Sequence, residues 1–295
     1  MKLLLTFDRF YDTISMVDYN GLIGYSGGYL FMLNYVFFAI AIIVTAVIYI
    51  SVPTLSFWWL LPVLAGAFIS TGVLYILVLF TMSLFLSKKK KVVAPKPFCA
   101  FMIRITMDWL MRLFRIHIKL TGAELLPNEP CIIVSNHRSD FDPMTVLAVL
   151  KERRLAYISK EANFKIPIVG NFIHHAGFLA IDRGNGMRAM RTLKQAAEMM
   201  KTAGVDIGIY PEGTRSKNCE LLRFRPGAFV LAKRADAPVV VMVTKGTEAI
   251  SKNVPFRSTK VELKILGVID RETVAGMEQD ELSACVRAMI EEGLG

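Results

Sequence analysis

Cysteine, histidine and, over one long stretch, charge are scarce in this 295-residue chain. The four cysteines (Cys99, Cys131, Cys219, Cys285) form no CxxC pair, which argues against a disulfide framework or a zinc ribbon and suits a reducing compartment. There is no GxSxG elbow, and no histidine stands beside Cys219. Ser139 and Cys219 are therefore poor nucleophiles, and a covalent intermediate is not expected. Only four histidines are present, and none outside His137 has a partner at metal-ligand spacing. Residues 19–87 contain no Asp, Glu, Lys or Arg at all. With 54% hydrophobic and 11% aromatic residues, the chain is too apolar for a disordered protein.

The uncharged stretch holds two runs of membrane length, Tyr29 to Val52 and Phe57 to Leu86, joined by a short connection carrying Pro53. At about 1.5 Å per residue the first reaches roughly 36 Å, enough for a hydrocarbon core of about 30 Å. Trp58 and Trp59 fall where an interfacial belt belongs, and Gly66 with Ser70 is a small-xxx-small pair. The expectation is a two-helix transmembrane hairpin over 29–87, preceded by an N-terminal segment, 1–28. A buried helical hairpin is the alternative, and it needs a core covering both helices on every side. The Met1-Lys-Leu-Leu-Leu start is interrupted by Asp8, Arg9 and Asp12, so no cleaved leader is expected.

Lys88 to Lys91 come directly after the second run. By the positive-inside rule they place the rest of the chain in the cytoplasm, in a multi-pass protein of the cell membrane. Phe98–Arg115, with Arg104, Arg112 and Arg115 among apolar residues, reads either as an interfacial helix on anionic lipid or as a domain-packing helix. Residues 88–115 are thus a basic flank and interfacial helix, and 116–295 a catalytic domain. Residues 88–295 hold 33 Lys and Arg against 22 Asp and Glu. Anionic lipid, not nucleic acid, is the partner this basic excess next to a membrane segment suggests.

From Ile116 onward, short apolar runs alternate with amphipathic stretches, which predicts an α/β domain with a mixed central sheet flanked by helices. Strands are expected near Ile116–Leu120, Cys131–Ser135, Ala156–Ile158, Phe178–Ile181, Val205–Tyr210, Pro238–Val243 and Val261–Leu266. Helices are expected at Pro143–Lys151, Phe164–His174, Met187–Thr202, Pro226–Arg234 and Gln279–Glu292. In the third, Met187, Met190, Leu193, Ala197 and Met200 share one face and predict core.

Five strands run into polar clusters: Asn136–Asp140, Ser159–Glu161, Asp182-Arg183, Pro211–Arg215 and Thr244-Lys245. Ligands of open α/β sheets bind beyond the carboxyl ends of strands, so these exits would gather one histidine with Lys160, Arg183, Arg215 and Lys245. In HRSDFD, His137 and Asp142 are five apart. They meet only if His137 lies on the turn before a helix and Asp142 near its start. There the carboxylate would fix the tautomer and leave the second ring nitrogen as a base. Tyr210–Ser216, YPEGTRS, is a loop with glycine beside arginine, suited to phosphate.

The ordered blocks NHRSDFDP, YISKEANFKIPIVG, GFLAIDRG, YPEGTRS, FRPGAF and APVVVMVTKG resemble those of the glycerolipid acyltransferase family, in its 1-acyl-sn-glycerol-3-phosphate (lysophosphatidate) acyltransferase branch. The resemblance covers roughly Ile116 to Leu266. It implies His137 as general base, Asp142 as its orienter, and Lys160, Arg183, Glu212, Gly213, Thr214 and Arg215 as the acceptor-phosphate site. The implied substrates are lysophosphatidic acid and an acyl-CoA or acyl-carrier-protein thioester, with no metal and no resident cofactor. Another lysophospholipid or glycerol-3-phosphate would use similar blocks, so the acceptor stays open. Two readings of other classes remain: a metal-dependent membrane phosphohydrolase using His137, Asp140 and Asp142, and a non-catalytic module binding anionic membranes.

Overall fold

The structure is a computed structural model, and it describes residues 32–88 and 91–295. The expected N-terminal segment, the first residues of the first apolar run, and Lys89-Lys90 lie outside the described residues. The described residues fall into two compact units, one within 20–87 and one within 88–295.

The first unit is a pair of packed helices, α1 (Met32–Ser51) and α2 (Leu60–Leu84). Phe37, Ala41 and Thr45 recur every four residues on α1, so they form one stripe, and all three are buried. The Phe37 ring meets Phe68 and Tyr75 edge-on, at 6.5 and 5.5 Å between centroids. Thr45, Thr71 and Thr81 return their hydroxyls to carbonyls four residues back, which satisfies them without water. Elsewhere both helices present apolar side chains outward: Ile50 is 77% exposed and Leu61 75%. Among the described residues one helical stretch, Phe57–Leu84, is long and apolar enough to cross a membrane.

The second unit is built on a seven-stranded sheet of order β1-β7-β6-β2-β5-β3-β4. The strands are β1 (Ile116–Thr121), β2 (Ile132–Ser135), β3 (Leu155–Lys160), β4 (Leu179–Ile181), β5 (Asp206–Ile209), β6 (Val239–Lys245) and β7 (Thr259–Ile269). The five strands β6, β2, β5, β3 and β4 are mutually parallel; β7 runs antiparallel to β6, and β1 is parallel to β7. The sheet is mixed, as the sequence predicts. Helices cover the central strands, so β2 (IIVS) and β6 (VVVMVTK) are nearly continuous apolar runs, buried at every residue except Lys245 at the rim. By contrast β7 alternates, Val261, Leu263 and Ile265 inward and Lys260, Glu262 and Lys264 outward.

The flanking helices are α3 (Pro97–Leu113), α4 (Asp142–Val149), α5 (Val169–His175), α6 (Gly186–Ala203), α7 (Val230–Ala235), α8 (Ile250–Asn253), α9 (Arg271–Gly276) and α10 (Gln279–Leu294). Helix α3 packs on α4, α5 and β1, with Cys99, Met102, Ile103, Trp109 and Met111 buried. Its Arg104 is buried too and donates to the carbonyls of Lys151 and Arg153 at 2.6 and 2.7 Å. That cation serves the turn after α4; it does not face outward as an interfacial arginine would. The helix expected over Phe164–His174 is divided into a 3-10 turn, Glu161–Lys165, and α5, because Pro167 cannot donate a backbone bond and Ile166 is extended ahead of it. Pro226–Arg234 divides likewise into a 3-10 turn and α7. On α6 the methionine stripe is core only from Leu193 onward; Met187 is 74% exposed and Met190 38%.

At the amino ends of the central strands one buried tie joins three elements. Asp206 of β5 receives Arg153 Nε at 2.6 Å and Nη2 at 2.7 Å, and accepts the Cys131 backbone N–H at 2.9 Å. Burial pushes the Cys131 thiol well up, so it is an inert core residue.

Candidate active site

Because five neighbouring strands are parallel, their five polar exits lie along one edge of the sheet. Asn136 prolongs β2 toward β6: its amide donates to the Thr244 carbonyl at 2.9 Å and accepts the Thr244 N–H at 2.8 Å. The chain then leaves the sheet at His137.

Asp142 opens α4 and is fully buried. Its Oδ2 accepts His137 Nδ1 at 2.8 Å, Arg138 N–H at 2.7 Å and Ser139 N–H at 2.8 Å, while Oδ1 accepts the Thr247 hydroxyl. Each of these partners donates to the carboxylate, which fixes its orientation toward the ring. An acceptor at Nδ1 leaves the proton there and the lone pair on Nε2.

The backbone of His137 is held just as closely by the YPEGTRS loop. Its N–H donates to Glu212 Oε1 at 2.6 Å, and its carbonyl accepts the Ser216 N–H at 2.9 Å. The ring stacks on Tyr210, at 4.2 Å between centroids and 16° between planes, and Tyr210 stacks on Tyr157 at 5.6 Å and 8°. Tyr157 faces Gly208 across β3 and β5, and its ring lies directly over that glycine: a Cβ at 208 would stand 2.2 Å from Tyr157 Cε1. Burial raises the pKa of both tyrosines, so they stay neutral beneath the histidine.

The residues that the family resemblance assigns to phosphate do not all converge in the same way. Lys160, Arg183, Thr214 and Arg215 lie along the edge with their side chains wholly or partly open to solvent. Arg215 pairs with Asp140, which takes that carboxylate away from the His137–Asp142 pair. Gly213 turns the loop with φ +69° and its N–H bonds to the Tyr210 carbonyl at 3.0 Å. Glu212 differs from these in being buried, and its two oxygens accept the N–H groups of His137 and, at 2.9 Å, Leu222. Burial raises its pKa, against the pull of those two bonds. Each oxygen accepts one backbone donor, and one of them holds the His137 N–H. Leu221 and Leu222 are held in turn by Arg287 of α10, whose guanidinium donates to their carbonyls at 3.3 and 2.5 Å.

Four further residues that build the site, Thr247, Asn136, Tyr157 and Arg287, belong to no motif that assigns them a role. Of these only Asn136 carries a signal in the sequence, a polar side chain ending a buried apolar run. His117 is exposed on β1, and His174-His175 end α5, as their spacing suggests.

The chain is similar to proteins of known activity. A family model described as Acyltransferase matches residues 117–245. Human 1-acyl-sn-glycerol-3-phosphate acyltransferase beta is 33% identical over 191 residues, covering 62% of this chain and 68% of the human protein. The bovine alpha form is 29% identical over 185 residues, 62% of this chain and 63% of that protein. Among solved structures, the 1-acyl-sn-glycerophosphate (LPA) acyltransferase PlsC from Thermotoga maritima matches with a TM-score of 0.53 and 25% identity, over 74% of this chain and 94% of that one. This chain is an acyltransferase and belongs to the family of the 1-acyl-sn-glycerol-3-phosphate acyltransferases.

Proposed function

We propose that the enzyme transfers a fatty acyl group from a thioester to the sn-2 hydroxyl of lysophosphatidic acid, giving phosphatidic acid. The observation that carries the mechanism is the 2.8 Å contact between His137 Nδ1 and an Asp142 whose other bonds are all to fixed donors. Neutral His137 takes the hydroxyl proton on Nε2 as the acceptor oxygen attacks the thioester carbonyl. Asp142 stabilises the imidazolium so formed, and Tyr210 fixes the plane of the ring. The proton then passes to the departing thiolate. A thioester is already activated, so the chemistry calls for positioning and one base. The basic edge supports an anionic acceptor, and coenzyme A and acyl carrier protein both fit as donor carriers.

Both helices of the first unit are read as crossing the membrane. Helix α1 is 20 residues long, and its exposed large side chains, Phe38, Ile43 and Ile50 among them, are apolar. An apolar surface of that extent is unfavourable in water. With Lys88 and Lys91 flanking the second span, the catalytic unit faces the cytoplasm. A cysteine at Lys91, with native cysteines removed, should resist an impermeant thiol reagent in intact cells and react after lysis; labelling in intact cells would overturn this topology.

The function itself is tested with purified enzyme, a panel of lysolipid acceptors, both donor types and mass spectrometry of the product. His137→Ala should lower turnover about 10²–10⁴-fold, the usual worth of a general base, without lowering thermal stability. Near-wild-type turnover in a folded His137→Ala protein would refute the mechanism, and absence of an acylated product from lysophosphatidate would refute the substrate.

A further inference from the structure

Helix α10 lies beyond residue 245, where the match to the acyltransferase family model ends, yet one of its side chains reaches toward the site. The helix itself is fixed. Leu282, Val286 and Ile290, four residues apart, form one fully buried stripe, and the helix packs on β6 and β7. Arg287 follows Val286, and each part of its guanidinium is used. Nη1 donates to the Leu222 carbonyl at 2.5 Å. Nη2 reaches the Leu221 carbonyl at 3.3 Å and Glu291 at 2.7 Å, and Cζ stands 5.5 Å from the centroid of the Phe224 ring.

What Arg287 holds is the irregular segment 220–225, which is neither helix nor strand. A segment of that kind keeps its place through bonds to its neighbours. On the site side, Arg138 donates to the Cys219 carbonyl at 3.2 Å, the Leu222 N–H to Glu212 at 2.9 Å and the Arg225 N–H to the Pro211 carbonyl at 2.9 Å. On the far side stand Arg287 and the buried Phe224, whose ring lies 6.4 Å from that of Phe229. Leu222 is the junction. Its carbonyl is bound to α10, and its N–H to the carboxylate that accepts the His137 N–H at 2.6 Å. Arg287 also lines two surface clefts of about 430 and 370 Å³, the first with Phe224 and Asp280, the second with Cys219 and Leu221. A shorter side chain at 287 would let water reach both carbonyls from those clefts, freeing the segment at small cost in stability.

We propose that Arg287 is a positioning residue for the base, acting through Leu222 and Glu212 and not on the substrate. This deepens the reading of His137 as the base and rests on it. Three hydrogen bonds in series join the guanidinium to the His137 N–H: Arg287 to the Leu222 carbonyl, the Leu222 N–H to Glu212, and the His137 N–H to Glu212. The planar fork suits the task, because one rigid group holds two adjacent carbonyls together, whereas an ammonium is a point charge on a flexible stem. Proton abstraction needs near-contact geometry, and a displacement of about 1 Å introduced far from the chemistry can cost about 10²-fold in rate.

The test uses the purified full chain and measures kcat, KM for lysophosphatidate, KM for the acyl thioester and thermal unfolding. The proteins compared are wild type, Arg287→Ala, Arg287→Lys, Glu212→Gln, the double variant Arg287→Ala with Glu212→Gln, and His137→Ala. In Arg287→Ala kcat should fall about 10–100-fold while both KM values stay within about twofold. Arg287→Lys, which keeps a donor and loses the fork, should lie in between. In the Glu212→Gln background, Arg287→Ala should lower kcat by no more than about a further twofold, because the path it acts through is already broken. A residue that only supports the fold would lower the melting temperature and leave the kcat of the folded enzyme unchanged. Wild-type kcat in folded Arg287→Ala, a loss carried by either KM, or two effects that multiply independently would overturn the proposal. If Arg287→Ala does not fold, the lysine variant decides, and wild-type kcat in it would overturn the proposal equally. Near-wild-type turnover by His137→Ala would remove the base itself, whereas an inactive His137→Ala beside an unimpaired Arg287→Ala would remove only the role of Arg287.

Discussion

Asp142→Asn separates charge from geometry in this site. Asp142 Oδ2 accepts three N–H donors and Oδ1 accepts the Thr247 hydroxyl. An asparagine with its oxygen in the Oδ2 position keeps all three N–H bonds, and its NH₂ can donate to the Thr247 oxygen. Of the buried donors, the Thr247 hydroxyl proton loses its acceptor, while the three N–H groups keep theirs. What disappears is the negative charge facing the imidazolium. With charge centres about 4 Å apart and an effective dielectric constant of about 20, that attraction is about 4 kcal/mol, or roughly 10³-fold in rate. The neutral amide recovers a fraction, so kcat/KM should fall about 10²–10³-fold. Melting temperature should move by no more than about 2–4 °C, the shift expected for ~1 kcal/mol in a domain of this size. Asp142→Ala is the contrast: it strands the N–H groups of Arg138 and Ser139 at about 1–3 kcal/mol each and should melt clearly lower. The assay is steady-state formation of phosphatidate beside thermal unfolding in the same detergent. An Asn variant within tenfold of wild type, or one as unstable as the Ala variant, would refute the reasoning.

Gly208→Ala should displace the Tyr157 ring, whose Cε1 lies 2.2 Å from the new methyl, at a cost of about 1–3 kcal/mol. Because Tyr157 supports Tyr210 and Tyr210 supports His137, kcat should drop with little change in either KM; unaltered kcat would show that the stack does not position the base. Glu212→Gln should likewise reduce kcat, since an amide offers one acceptor where two N–H groups need one each. Burial raises the folded-state pKa of Glu212 above the ordinary glutamate value of 4.5, so the native protein binds its proton more readily than the unfolded chain does. Its contribution to stability is therefore complete below about pH 4.5 and is lost as pH rises through the higher folded value. Melting curves from about pH 4 to 7 should show wild type losing more stability on the way up than Glu212→Gln; parallel pH profiles would contradict this.

The edge of the sheet was legible because central parallel strands, buried on both faces, leave apolar runs that stop abruptly at charge. His137 and Asp142 were legible for a related reason: a turn between strand and helix is the one place where a five-residue spacing closes. The partners of Glu212 were not legible, because they are backbone N–H groups, which carry no residue identity. The same holds for Arg104 and Arg287, each satisfied by carbonyls far along the chain. Thr247 and Tyr157 reach the site only through strand order, which puts β6 and β5 on either side of β2 and β3 next to β5. The exposed Met187 and Met190 show the limit of helical periodicity, which gives a face but not how far along the helix that face stays covered.

The buried tie of Asp206, Arg153 and Cys131 stands at the far ends of the strands that carry the base. His137 lies two residues beyond β2 and Tyr210 one beyond β5, so their rings meet only while Ile133 stays opposite Gly208. A slip of one residue would send Tyr210 to the opposite face. From Cys131 to His137 the chain covers about 20 Å at roughly 3.3 Å per residue. The tie is thus the datum from which the working end is measured, and its tolerance becomes the tolerance of the base. Loosening Arg153 would broaden the orientations open to His137 well before the domain came apart, an inaccuracy introduced at the end of the sheet that no substrate touches.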